Sequence, residues 1–354
     1  MPSDTKTYQE ETYIDNTIRL RGVLNTMPDF ARDYFRAIEP TTSTKTRISY
    51  AYDIRIFFQF LISQNPSLAK IGIPNLNVSV LDQLKPIDIE EYMEYLKLYD
   101  SPNDQTTITN GERGLKRKIS SLRSFYTYYY KRQAIETNPV QLVDMPKIHD
   151  KAIIRLDAGE TAALLDYIEH CGDQLTGQRK AYYEKTKLRD LAIVTLLLGT
   201  GIRVSECVGL DVEDIDFRNN GIRLIRKGGS EMVVYFGPEV EKALKDYLES
   251  RKAISPLEGH EHALFYSTQR KRIGIQAVEN LVKKYAGAIT TTKKITPHKL
   301  RSTYGTTLYQ ETGDIYLVAD VLGHRDVNTT KKHYAAMDDA RRRKAATAVH
   351  LRED

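Results

Sequence analysis

The chain has 354 residues, enough for two domains with separate cores, and its 41% hydrophobic and 28% charged content excludes a disordered chain. No apolar run approaches the roughly 18 residues that span a bilayer, and the polar, acidic start MPSDTKTYQEETYID argues against a secretory signal, so a cytoplasmic protein is expected. The net charge of +5 is too small to mark a nucleic-acid binder by itself, and two cysteines, Cys171 and Cys207, exclude a disulfide framework and read as buried thiols.

Residues 1–29 begin polar and read as an arm or an extra helix. From Thr44, TKTRISYAYDIRIFFQFLI has Ile48, Ala51, Phe58, Leu61 and Ile62 at helical spacing, with Lys45, Arg47 and Arg55 among the remaining positions. KPIDIEEYMEYLKLY places Pro86 and acidic residues at a helix start. DSPNDQTTITNG is rich in turn formers and predicts a loop. ERGLKRKISSLRSFYTYYYKRQ predicts a second amphipathic helix with Leu115, Ile119, Leu122 and Phe125 inward. Arg113, Lys116, Arg117 and Arg123 are left for an outer surface. Asn138-Pro139 and Pro146 close the region. Residues 30–145 thus predict a small all-helical domain, and 146–156 a linker.

A fresh helix opens at Asp157, with Glu160 three residues on as in a capping box. GQRKAYYEKTKLRD reads as a basic loop. LAIVTLLLGTG reads as an apolar helix stopped by Gly199 and Gly201, so that Arg203 begins a new helix at a buried junction. GIRLIRKGGSEMVVYFG alternates around Gly228-Gly229 and predicts a β-hairpin with Lys227 at its tip. Helices at PEVEKALKDYLESRK and IQAVENLVKKYAGAI flank the basic loop STQRKRIG, whose Arg270, Lys271 and Arg272 suit either a nucleic-acid groove or plain solvation. Beyond residue 334 the tail AAMDDARRRKAATAVHLRED favours a helix with too weak an apolar stripe to fold alone. It must dock on its own domain or on a neighbouring protomer. Walker-type glycine loops and zinc spacings are absent from the sequence.

The chemistry gathers in ITPHKLRSTYGTTLYQETGDIYLVADVLGHRDVNTTKKHYA. His298 and Arg301 lie three apart and share a helix face. LGH follows, ending at His324, and then Tyr334 beside Lys331, Lys332 and His333. Guanidinium and imidazole near a phenol make an oxyanion-binding set with a nucleophile, which is what phosphodiester chemistry without a metal requires. Two guanidiniums can neutralise the two non-bridging oxygens, and Arg203 supplies the second. Lys227 suits the proton donor that a departing oxygen needs, while its neighbour Arg226 leaves open that either residue only contacts a phosphate. Glu206, three residues after Arg203, can hold that arginine or make a plain salt bridge. Among 23 tyrosines, Tyr304, Tyr309 and Tyr316 fall inside helices and read as packing residues.

The ordered blocks Arg203, Lys227, HKLR (His298, Arg301), LGH (His324) and Tyr334 resemble the tyrosine recombinases, the phage-type integrases and Xer-type recombinases. The resemblance covers roughly the last two thirds of the chain. One departure is that Tyr334 lies ten positions after His324, where many members place it at nine; here His333 holds the ninth. The resemblance implies a mainly α fold with a small β-sheet: a helical core-binding (SAM-like) domain over 30–145, an α+β catalytic domain over 157–334, and an intersubunit tail over 335–354. It implies a site-specific recombinase that cuts and rejoins DNA through a 3′-phosphotyrosine and a Holliday junction, with no metal or cofactor. Double-stranded DNA and a homotetramer on it are the implied partners, with accessory bending or directionality proteins and a nucleoid location when bound. The basic residues of 30–145 would then meet DNA phosphates. Integration and excision of a mobile element is the leading role, with Xer-like dimer resolution as the alternative. A type IB topoisomerase, a telomere resolvase or an inactive DNA-binding relative is further away.

Overall fold

The computed structural model describes residues 7–100, 106–149, 153–226, 231–324 and 327. The chain divides into two compact units, Met1–Lys151 and Ala152–Asp354. Both are mainly helical, and each described sheet is small and antiparallel, so the expected fold class holds.

The first unit opens with α1 (Tyr8–Leu24), which resolves the arm-or-helix alternative as a helix. Thr7 caps it, accepting from the Glu10 amide, and Glu10 accepts in return from the Thr7 amide at 2.8 Å. Then come α2 (Ala31–Ala37), α3 (Thr44–Gln64), α4 (Pro66–Ile71) and α5 (Pro86–Tyr95). The stretch read as a loop carries a short hairpin, β1 (Leu98–Asp100) against β2 (Thr107–Thr109), with Tyr99 opposite Ile108. Three-residue strands are too short to show an alternating pattern, so turn-rich composition hid them. Next are α6 (Glu112–Lys131) and α7 (Pro139–Leu142).

The inward faces of α3 and α6 meet as their spacing requires: Ile48, Ala51, Phe58 and Leu61 on one, Leu115, Ile119, Leu122 and Phe125 on the other, all buried. Phe30, Tyr34, Phe58, Phe125 and Tyr129 pack largely edge to face, the arrangement that ring quadrupoles favour. Asp53 and Lys118 place opposite charges inside this core. Asp53, on α3, accepts from Arg117 and lies 3.6 Å from Lys118 Nζ. Burial raises the Asp53 pKa and lowers that of Lys118, while each partner's charge opposes the change.

The second unit is built around α9 (Gly177–Thr200), which follows α8 (Ala158–His170). The Asp157–Glu160 capping box opens α8 as expected. The segment read as a basic loop is in fact the first half of α9. Its buried positions there are Tyr183, Thr186 and Asp190, spaced helically but two of them polar, so the apolar signature was missing. Thr186 bonds back to the Tyr182 carbonyl, and Asp190 accepts from Arg189 and from Tyr285. Gly199 does not stop the helix either. A Cβ there would lie 2.5 Å from Val240 Cγ2, so this glycine admits a neighbouring helix. Gly201, at φ +63°, is the true C-cap.

After α10 (Val204–Gly209), strands β3 (Ile215–Asp216), β4 (Gly221–Ile225) and β5 (Glu231–Tyr235) form a sheet in that order. Register pairs Ile222 with Val234 and Leu224 with Met232, and Ile222, Leu224 and Val234 face the core. Three helices complete the described unit before the last: α11 (Pro238–Arg251), α12 (Ile275–Ile289) and α13 (Pro297–Thr312). The last is α14 (Ile315–Leu322). Helices α8, α11, α12 and α13 pack around α9.

Candidate active site

The expected site residues divide into those the structure describes and those it does not. Lys227 and Tyr334 lie outside the described residues, as do the tip Gly228-Gly229 and the tail from residue 335. Arg203, Glu206, His298, Arg301 and His324 are described, and three of them meet at one place, the C-terminal turn of α14.

Arg203 is the N-cap of α10, set two residues after the left-handed Gly201 that ends α9. Glu206 turns back to accept from the Arg203 amide at 2.7 Å and from its guanidinium at 2.8 Å. That carboxylate is nearly buried, with a side-chain exposure of 8% against 41% for Arg203, so the cation keeps an open side. The other arm of Arg203 donates to the Gly323 carbonyl at 3.3 Å.

Arg301, one turn into α13, is buried. Its guanidinium donates to the Gly201 carbonyl and to the Leu322 carbonyl, joining the end of α9 to the end of α14. Gly201 is needed here twice over, for its positive φ and because a Cβ would lie 2.3 Å from the Tyr304 ring.

A third arginine reaches the same turn. Arg226, the residue after β4, donates to Val321 O at 2.9 Å and to Asp320 O at 3.5 Å, and its Nε lies 4.0 Å from Glu206 Oε1. Burial lowers its pKa, against the opposing pull of Glu206. The consecutive carbonyls of Val321, Leu322 and Gly323 thus accept from Arg226, Arg301 and Arg203 in turn. A helix end exposes unpaired carbonyls with partial negative charge, and cations are stabilised there. Gly323 closes the turn at φ +60°, and the His324 amide donates to Ala319 O at 2.9 Å, with His324 half-buried at the end of the turn. His298 is exposed in the first turn of α13. Motif reading gave Arg226 as the neighbour of Lys227 and at most a phosphate contact. Its role in the turn depends on a contact across 95 positions, which no local pattern carries.

The candidate DNA-contact residues have unequal settings. Lys45, Arg113, Arg270 and Lys271 are exposed, and Lys116 and Arg55 are half-buried, with Arg55 over the Tyr52 ring at 5.0 Å. Arg117 is exposed, as expected, while its guanidinium also reaches the buried Asp53. Three others correct their surface placement. Arg47 is buried against Glu39 at 2.9 Å. Arg123 donates to the Val140 and Val143 carbonyls. Arg272 donates to Val208 and Leu210 carbonyls and pairs with Asp211. A long cationic side chain at a core-facing position satisfies carbonyls or a carboxylate instead of solvent. Tyr316 is also corrected, being 71% exposed rather than packed, while Tyr309 is buried. Cys207 is fully enclosed, and burial pushes its thiol up to about 12.

Among the described residues no cluster of His, Cys, Asp and Glu could hold a metal ion, and no helix is long and apolar enough to cross a membrane.

The guanidinium cluster on a helix end, in a helical unit with a three-stranded sheet, gathers the arginines of the motifs that resemble the tyrosine recombinases. The phage integrase family matches residues 155–341. A tyrosine recombinase XerC of Caldanaerobacter subterraneus is 32% identical over 333 residues, covering 91% of this chain and 86% of that protein. A tyrosine recombinase XerS of Streptococcus equi is 30% identical, covering 89% and 94%. Among solved structures, the Tn1549 transposon integrase with transposon right end DNA aligns at a TM-score of 0.62 and 21% identity, over 89% of this chain and 98% of that one. The XerH site-specific recombinase with its difH substrate aligns at 0.61 and 19%, over 86% and 79%. These structural likenesses show the fold. The chain belongs to the phage integrase family. It is a tyrosine-type site-specific recombinase, an enzyme of DNA strand breakage and rejoining.

Proposed function

We propose that Tyr334 is the nucleophile and that Arg203 and Arg301 hold the non-bridging oxygens of the phosphate it attacks. The observation that carries this reading is the shared turn: both guanidiniums are fixed on carbonyls next to His324 in sequence. The tyrosine oxygen forms a bond to phosphorus as the bond to the deoxyribose 5′-oxygen breaks. The phenolic proton passes to a nearby base, and Lys227 gives a proton to the departing 5′-oxygen. His298 and His324 hydrogen-bond the phosphoryl group or the attacking oxygen, and Glu206 holds Arg203. The 3′-phosphotyrosine conserves the bond energy, and a partner strand's 5′-hydroxyl reverses the step, two rounds passing through a Holliday junction.

The substrate is double-stranded DNA with a specific site, two copies of which are brought together by four protomers in the cytoplasm. The helical domain would occupy 30–145 and the catalytic domain 157–334, with 335–354 connecting neighbours. Lys45, Arg113, Lys116, Arg270 and Lys271 are the basic residues best placed for phosphates. Integration and excision of a mobile element is the first role; dimer resolution is the second, favoured by the XerC and XerS relatives.

The test begins with a duplex selected by this protein from a random-sequence pool and then nicked near the cleavage position. The wild-type protein traps a covalent adduct on it, visible on a denaturing gel, whereas Tyr334→Phe shifts the duplex on a native gel but forms no adduct. An adduct that persists in the variant moves the nucleophile elsewhere.

A further inference from the structure

The sheet and the LGH turn are joined by a side chain that the motif reading does not use. Arg226 leaves the end of β4 and runs to α14, where it grips two carbonyls. Its side chain is 10% exposed, and its Nε is buried with no hydrogen-bond partner, 4.0 Å from Glu206. Gly323 makes the room, since a Cβ there would stand 1.5 Å from Arg226 Nη1. A surface arginine that merely awaits a phosphate would not be enclosed in this way, with a glycine shaped around its guanidinium.

We propose that Arg226 is a positioning residue that ties the end of β4 to the turn before His324, so that the strand end and the arginine cluster keep one fixed spacing. This rests on the reading of Lys227 as the proton donor. Lys227 is the next residue, and consecutive Cα atoms across a trans peptide are about 3.8 Å apart, so fixing Arg226 fixes where Lys227 begins. Arg226 touches no reacting atom in this account; it sets the reach of its neighbour.

A substrate whose leaving group needs no proton separates positioning from general damage. On the selected nicked duplex, Arg226→Ala is expected to slow adduct formation about 100-fold, the scale on which small misplacements of catalytic groups act. With a 5′-bridging phosphorothiolate at the same position, the deficit should shrink at least tenfold, because a thiolate departs unprotonated. Lys227→Ala, run in parallel, should show the same rescue, and Arg226→Lys should recover part of the rate while keeping the aliphatic stem packed. Rescue of Lys227→Ala without rescue of either Arg226 variant overturns the positioning role and leaves the proton donor standing. Rescue of neither residue overturns both. Rescue of the Arg226 variants alone gives the proton transfer to Arg226 and ends the positioning account.

Discussion

The guanidinium of Arg226 occupies the space that a side chain on residue 323 would fill. Gly323 is therefore required both for its left-handed backbone, φ +60°, and for what stands beside it.

Gly323→Ala should lower the melting temperature and the rate of adduct formation together. A left-handed alanine costs about 1–2 kcal/mol, or a few degrees in a unit of this size. Gly259→Ala is the control, at φ +81° with open space around it, so it carries the strain without the collision. Calorimetry and a cleavage time course on both variants decide the matter. Equal cleavage rates would show that displacing Arg226 has no consequence.

Asp53→Ala should destabilise the first unit by about 3–5 kcal/mol, because it strands Lys118 without a counter-charge in the core. Adding Lys118→Met to that variant should recover most of the loss. Denaturant melts of the single and double variants test this, and a double variant no better than Asp53→Ala counts against the pairing.

Gly199→Ala should cost about 1–3 kcal/mol through overpacking against Val240. Val240→Ala makes its own cavity but should relieve the collision, so the two changes should be less than additive in a double-mutant cycle. Strict additivity would contradict the contact.

His262 Nδ1 donates to the Glu213 carboxylate at 2.9 Å, and this hydrogen bond, with the carboxylate charge, raises its pKa above 6.5. A raised histidine pKa favours the folded state below the unfolded pKa of about 6.5, and the contribution fades as pH climbs through the folded value. NMR titration of the His262 ring should give a midpoint above 6.5, moving down in Glu213→Gln. An unchanged midpoint in that variant would assign the shift to another group.

The motifs of the proposed site were legible because their geometry is local. His298 and Arg301 share a helix face by spacing alone, and LGH names its own turn. Glu206 was legible for the same reason, as the third residue of α10. What sequence could not give is where long cations end. Arg47 and Arg123 sit at positions that look solvent-facing in a basic helix, yet Glu39 and the carbonyls of Val140 and Val143 draw them inward. Gly199 and Gly201 illustrate the same limit. One letter served packing in the first case and backbone reversal in the second, and only the approach of Val240 tells them apart. The first half of α9 was misread because Thr186 and Asp190 carry its buried face, and a polar residue with internal partners is invisible to hydropathy.

The three-arginine grip on the end of α14 also sets when an entropic cost is incurred. An arginine free in solvent carries about 2 kcal/mol of rotamer freedom, and a loose site would surrender it on each encounter with DNA. Here Arg203 and Arg301, the two proposed phosphate ligands, give up much of that freedom once, as the chain folds, to neutral carbonyl dipoles. Each encounter with a phosphate then begins with the cations already still.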